Sequence, residues 1–313
     1  MNEEVRRLFR ERFGELAQFD FPMARITSFR VGGPAECLLN VRGLEDLGSA
    51  VELARSRDVP ITLLGAGSNL LVRDGGIRGL AISFAQGFRG RGIRKEGKQE
   101  AILWSEAGVK INSFLSFAQR SGWSGLEFLA GTPGTMGGAV AMNAGVQERE
   151  VKDTLLELTF MRDDGSIETR PRKSLNFRYR GLDLPEGSII CVMDFAVTRS
   201  TAAQVKDLMM TLLTKRKQSQ PLSLPNAGSV FMNPPGDYAA RLIEKSGLKG
   251  TRIGGAEISR LHANFIVNNR GACASDILSL IALARERVKK AAGIDLETEI
   301  KIVGEDLPGG GNE

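Results

Sequence analysis

Two glycine-rich stretches, LGAGSNLLV at 64–72 and EFLAGTPGTMGGAVAMNAG at 127–145, limit what this chain can fold into more than any other feature. Glycine has no Cβ and reaches φ > 0 at little cost, so such loops bring backbone N–H groups close to an anionic ligand. Flexible linkers also use glycine, but they lack the apolar residues Leu70, Leu71, Val72, Met136, Val140 and Met142 that interleave it here. The stretches read as two walls of one phosphate cradle, suited to a nucleotide or dinucleotide cofactor. Neither is a common nucleotide motif. Gly65-Ala66-Gly67-Ser68-Asn69-Leu70 opens like the dinucleotide fingerprint but has Leu70 where its third glycine belongs, and no Walker phosphate loop occurs. An ordinary Rossmann or Walker site is disfavoured.

At 313 residues the chain exceeds the size at which single cores stop growing, so about two domains are expected. It contains no run of 18 uncharged apolar residues, and the start, MNEEVRRLFRERFGELA, reads as a charged amphipathic helix rather than a secretory signal, which makes the cytoplasm the expected compartment and a membrane an unexpected partner. Cys37, Cys191 and Cys273 are odd in number and far apart, against a disulfide framework or a thiolate metal site; each is expected to be a small buried hydrophobe. His262 is the only histidine, which leaves no multi-histidine metal site, and no metal is expected. A net charge of +5 fits either nucleic acid or anionic small ligands. The one tight basic run, Lys215-Arg216-Lys217, reads as a solvated helix end rather than a nucleic-acid patch, because aromatics for base stacking are sparse.

Short apolar runs alternate with helical periods: strands begin at Ala35, Pro60, Gly79 and Ala101, with helices over 44–56 and 110–120. LLELTFMRDDGSIETR from Leu155 reads as a hairpin turning on the two residues Asp164-Gly165, and a further strand begins at Ser188. Thr201 and Gln204 form a capping box for a helix running to about Lys217. Helices are expected over 237–246 and 275–292, and strands over 264–267 and 296–303. The fold class is α+β. The expected division is an N-terminal helical segment over 1–26, a first domain over 27–200, a second over 201–304 and a disordered tail over 305–313.

Seven strings in order, TSFRVGGPA from Thr27, LGAGSNLLV, GTPGTMGGAVAMNAG, NFRYR from Asn176, NAGSVFMNP from Asn226, HANFIVN from His262 and LETEIKIVG from Leu296, make the chain resemble the UDP-N-acetylenolpyruvoylglucosamine reductase (MurB) family, also called UDP-N-acetylmuramate dehydrogenase. Its length, without a recognisable inserted tyrosine-bearing loop, is similar to the shorter subtype. The resemblance implies a two-lobed FAD-binding domain of the vanillyl-alcohol-oxidase (PCMH) type followed by a smaller α+β substrate domain. FAD would lie between Gly65, Ala66, Gly67, Ser68, Asn69 and Leu70 on one side and Gly131, Thr132, Gly134, Thr135 and Gly138 on the other, with Arg30 also contributing.

The implied reaction is NADPH-dependent reduction of the enolpyruvyl ether of UDP-N-acetylglucosamine, a sugar-nucleotide substrate, to UDP-N-acetylmuramate in peptidoglycan synthesis. Arg180 would pair with the substrate carboxylate, Glu299 would sit across the enolate, and Ser229 would donate the proton. Tyr179, Asn233, His262 and Lys301 match positions that contact substrate. Without the family, Arg180 reads as a surface ion pair, Ser229 as a turn residue, Glu299 as a solvent-facing strand residue, and Asn233 and His262 as structural. The chain departs from the family pattern at Met232, where lysine is usual, and at Arg178 and Leu182 beside Arg180. An oxidase of the same cofactor fold and a nucleotide- or RNA-binding protein are the competing readings.

Overall fold

In the computed structural model, which describes residues 1–146 and 149–307, the chain opens with helix α1 (Glu3–Phe13). Asn2 caps it by accepting a hydrogen bond from Val5 N at 2.9 Å, Glu3 and Glu4 lie in the first turn, and Gly14 ends it at φ 54°. Val5, Phe9 and Phe13 form its buried stripe. The segment expected to be helical over 1–26 also contains a strand, β1 (Ala17–Pro22), because Ala17, Phe19 and Phe21 pair across to β2 (Pro34–Asn40). Helix α2 (Leu44–Ser56), β3 (Ile61–Leu64), β4 (Leu70–Val72) and β5 (Ile77–Ser83) follow. The first lobe is a sheet of order β1-β2-β5-β3, antiparallel at β1–β2 and parallel elsewhere. Alternation along its strands serves two faces: Cys37, Leu39, Leu80 and Ile82 pack under α1 and α2, while Leu38 and Ala81 meet Leu64, Leu70 and Val72.

The second lobe is an antiparallel sheet formed by β6 (Arg91–Glu96), β7 (Glu100–Glu106), β8 (Leu155–Met161), β9 (Ile167–Pro171) and, after the hairpin β10 (Asn176–Arg178) and β11 (Gly181–Asp183), β12 (Ile189–Arg199); its order is β9-β8-β12-β7-β6. Between β7 and β8 the chain forms α3 (Ile111–Arg120) and the short α4 (Met136–Ala141), which pack Phe114, Leu115, Met136 and Val140 onto Leu158, Met193 and Phe195. The hairpin over 155–171 is present, but its loop has three residues rather than two. Arg162 N donates to Ser166 O at 2.8 Å, and Gly165 takes the left-handed position at φ 84° that a three-residue loop requires.

Thr201 and Gln204 cap α5 (Ala202–Ser219) as expected. From sequence this helix falls in the second domain. It packs instead on the second lobe, with Met209, Leu212 and Leu213 against that lobe's core, so the break in packing follows α5 rather than preceding it. The C-terminal domain holds α6 (Ala239–Lys245), a small antiparallel sheet of β13 (Arg252–Ile253), β14 (Ala256–Ile258) and β15 (Ile266–Asn268), and α7 (Ala274–Ala292). Its core takes in Phe29, Val31 and Leu71 from the first lobe.

Of the strand expected over 296–303, only β16 (Lys301–Val303) is regular, and it leaves its own domain to pair in parallel with β4. Asp74 strengthens this junction by accepting hydrogen bonds from Ala274 N and Ser275 N at 2.7 and 2.9 Å, which caps α7 from the other domain. The tail expectation over 308–313 lies outside the described residues. Glu305 and Asp306, at its start, are held by ion pairs to Arg78 and Arg73, so disorder does not begin at 305. Cys37 and Cys191 are buried, and burial pushes their thiols up to about 12 and about 11. Cys273 is exposed, contrary to expectation, because it stands at the N-terminal end of α7. Among the described residues no helix is long and apolar enough to cross a membrane.

Candidate active site

The two glycine stretches face each other across a cavity of about 590 Å³, a size suited to a cofactor-sized ligand. The first stretch is the connection from β3 to β4, and the second enters α4. They touch directly: Ser68 Oγ donates to Pro133 O at 3.0 Å. Gly67 is forced to be glycine by its surroundings. It lies at φ 65°, and a Cβ there would stand 2.5 Å from the Ile26 carbonyl oxygen. Gly131 and Gly134 take φ 76° and 137°, turning the second stretch around the cavity, and Thr135 Oγ1 accepts from Gly138 N at 3.3 Å to start α4.

Residues from all three parts of the fold converge here. Gly65, Ala66, Gly67, Ser68, Asn69, Leu70, Gly131, Thr132, Gly134, Thr135 and Gly138 all line the cavity, as do Arg180, Ser229, Glu299 and Lys301. Arg180 sits in the two-residue turn between β10 and β11 at φ 57°, a left-handed conformation that costs a β-carbon-bearing residue energy. Its Nε lies 3.0 Å from Glu299 Oε1, yet the N–H is not aimed at that oxygen and has no hydrogen-bond partner, so the contact is an ion pair without a directed bond. Side chains of the two are only 21% and 17% exposed. Burial pushes the Glu299 carboxyl above its ordinary value despite the opposing pull of Arg180.

Arg30, Tyr179, Asn233 and His262 do not line the cavity. Arg30 is exposed at φ 57° on the loop before β2. Tyr179 and Asn233 form a pair outside it, Asn233 Nδ2 donating to the Tyr179 hydroxyl at 3.5 Å, with the Arg180 guanidinium 5.0 Å from the Tyr179 ring centroid. His262 packs edge-on against Phe265 and accepts from Asn264 N at Nδ1; burial, with Lys249 nearby, lowers its pKa. Met232 is half-buried, and its backbone N–H donates to Glu297 O at 2.9 Å.

The cavity residue that sequence reasoning missed is Arg216. Its neighbours Lys215 and Lys217 are exposed, as a solvated helix end requires, but Arg216 turns inward from α5 and donates to Ala130 O at 3.1 Å and Thr132 Oγ1 at 2.6 Å. Burial and, secondarily, the charge of Arg180 lower its pKa, and its Nε is buried without a partner. The only signal available was the spacing Met209-Leu212-Leu213-Arg216, which puts the arginine on the packed side of the helix. Among the described residues the cavity is lined by three cations, Arg180, Arg216 and Lys301, against one carboxylate. Two buried guanidinium N–H groups without partners and a doubled wall of glycine backbone fit a bound anionic cofactor.

Two family models match: FAD binding domain over residues 35–170, which contains both glycine stretches, and UDP-N-acetylenolpyruvoylglucosamine reductase, C-terminal domain, over 220–303. FAD is accordingly the cofactor of this chain. The chain is 42% identical over 286 residues to the UDP-N-acetylenolpyruvoylglucosamine reductase of Anaeromyxobacter sp. (strain Fw109-5), covering 91% of this chain and 88% of that protein. It is 41% identical over 295 residues to the enzyme of the same name from Syntrophus aciditrophicus, covering 92% of each. Among solved structures, the reductase from Thermus caldophilus superposes with a TM-score of 0.74 at 35% identity, over 90% of this chain and 96% of that one. A vanillyl-alcohol-oxidase-type flavoprotein from Myceliophthora thermophila shares the fold, with a TM-score of 0.50 at 13% identity over 95% of this chain and 64% of that one.

Proposed function

This chain belongs to the UDP-N-acetylenolpyruvoylglucosamine reductase (MurB) family, and on that premise we propose that it reduces the enolpyruvyl ether of UDP-N-acetylglucosamine to UDP-N-acetylmuramate, consuming NADPH. The observation that carries the reading is the half-buried Arg180–Glu299 pair opening, with Ser229, onto the same cavity as the FAD cradle. FAD, held between the backbone of 65–69 and that of 131–138, would supply hydride transfer, carrying reducing equivalents from NADPH to the terminal carbon of the enolpyruvyl group.

The backbone of 65–69 and 131–138, with Arg216 behind the second stretch, holds the cofactor's anionic portion. Arg180 pairs with the substrate carboxylate, into which charge flows when the double bond is saturated; a guanidinium stays charged throughout and needs no proton to do so. Glu299, whose carboxyl burial pushes above its ordinary value, sits across the resulting enolate and tunes its hydrogen bonding. Ser229 Oγ gives its proton to the α-carbon, completing the saturated lactyl ether, and recovers one from solvent. An alcohol is a weak acid, but the enolate carbon is basic enough to accept its proton. Lys301 faces the same cavity and supplies further positive charge for the carboxylate or the substrate's phosphates.

Ser229→Ala tests this assignment. It should leave bleaching of the flavin by NADPH within about twofold of wild type and slow its recovery with substrate by at least ~100-fold, the size of a general-acid contribution. Equal slowing of both half-reactions would make Ser229 a cofactor-binding residue instead.

A further inference from the structure

Each glycine stretch carries one asparagine, and the side chains of both reach out of the cradle to the backbone of the segments that bear Arg180 and Glu299. Asn69 Nδ2 donates to Glu299 O at 3.0 Å, while its own carbonyl accepts from Lys301 N at 3.0 Å. Glu299 is held on the other side by its N–H to Val230 O at 2.8 Å, next to Ser229. Asn143, fully buried at φ 42°, donates from Nδ2 to Arg178 O at 3.1 Å and Glu150 Oε2 at 2.9 Å, and accepts from Lys152 N at 3.1 Å. Arg178 O is the last carbonyl before the turn that keeps Arg180 in its left-handed conformation.

We infer that Asn69 and Asn143 are positioning residues that tie the Arg180–Glu299 pair to the two walls of the cradle, so that filling the cradle also fixes the pair. The carboxamide suits this role: a neutral donor grips a carbonyl without adding charge beside Glu299, and asparagine is among the few residues other than glycine that tolerate positive φ, as position 143 demands. Glu299 lies in 296–300, the part of the expected strand that does not form regular pairing. Its backbone therefore depends on these individual bonds rather than on a continuous ladder. Arg180 lies in a turn whose strands are only three residues long. Neither member of the pair sits on a rigid element of its own.

The inference rests on the proposed reductase reading for its activity readout, but not for its structural one. Hydrogen–deuterium exchange of the peptide over 296–303 would be compared in apo-protein and FAD-loaded protein, for wild type and Asn69→Ala. Wild type is expected to show FAD slowing exchange there by about fivefold or more, the size of one hydrogen bond. Asn69→Ala, loaded at FAD concentrations that saturate each protein so that any change in affinity drops out of the comparison, should lose that slowing.

In anaerobic half-reactions at saturating FAD the same variant should slow recovery with substrate about tenfold more than it slows bleaching by NADPH, and show a shifted pH profile for recovery. Asn69→Asp keeps the shape and loses the donor, and answers the question if the alanine variant does not fold. Asn143→Gly, which preserves the positive φ, should act likewise on the peptide over 176–183. Retention of the FAD-induced protection in these variants would overturn the inference. So would equal slowing of both half-reactions. If wild type itself fails to recover colour with substrate, the reductase reading falls, and the exchange comparison still decides this one.

Discussion

Gly67→Ala offers a quantitative test of the cradle. An alanine at φ 65° costs ~1–2 kcal/mol for the left-handed backbone alone. Its Cβ would also stand 2.5 Å from Ile26 O and 3.1 Å from Thr27 Cα, both backbone atoms that cannot rotate away. Residues 65–69 or 26–28 must move by several tenths of an ångström, which strains the Ser28 N–H bond to Gly67 O, now 3.0 Å and worth ~1 kcal/mol. The sum is ~2–3 kcal/mol, or about 30- to 150-fold in FAD affinity if it is expressed entirely in binding. Gly165→Ala is the control: its φ is 84° but nothing lies within 4 Å of the added Cβ, so it should cost ~1 kcal/mol of stability and leave FAD binding alone. Titrating apo-protein with FAD by flavin fluorescence, alongside thermal melts, separates the two. A Gly67→Ala protein that binds FAD within about threefold of wild type and melts no lower than Gly165→Ala would refute the reasoning.

Arg216→Lys keeps the charge but cannot reproduce the two bonds to Ala130 O and Thr132 Oγ1, so FAD should bind about tenfold more weakly in the same titration. Asp74→Ala removes two charge-assisted bonds at the start of α7; denaturant unfolding should show a loss of ~1–2 kcal/mol with no change in FAD spectrum. Because burial raises the Glu299 carboxyl, the folded chain holds that proton more tightly than the unfolded chain. Stability from this group is full below the ordinary value of 4.5 and is lost as pH rises through the folded value. Glu299→Gln stays neutral, so its melting temperature relative to wild type should climb as pH rises from about 4.5 towards neutrality; a constant difference would contradict the raised carboxyl.

Local patterns carried much of this fold into view from the sequence. The helix expected over 44–56 forms over Leu44–Ser56 on its apolar period, and the Thr201–Gln204 capping box starts α5, because each of these signals lies within a few residues of sequence. What stayed hidden depends on distant partners. β4 is three residues long and owes its existence to β16, which arrives from more than 200 residues later. β1 needed β2 to distinguish AQFDFP from a helix's tail. Arg216 was legible as a basic residue but not as a buried one, since only the packing of α5 onto the second lobe turns it toward Thr132. Arg180 and Glu299 each came into view through a family motif, but their pairing did not; with a sequence separation this large, spacing alone could not join them.

The most direct test of the central claim is an anaerobic visible spectrum of the purified protein, taken before NADPH, after NADPH, and after UDP-N-acetylglucosamine enolpyruvate is added. A yellow protein that bleaches with NADPH and regains its colour with that substrate, yielding UDP-N-acetylmuramate, is the predicted result. A yellow protein that bleaches but recovers only when oxygen is admitted would contradict it and favour an oxidase on the same fold.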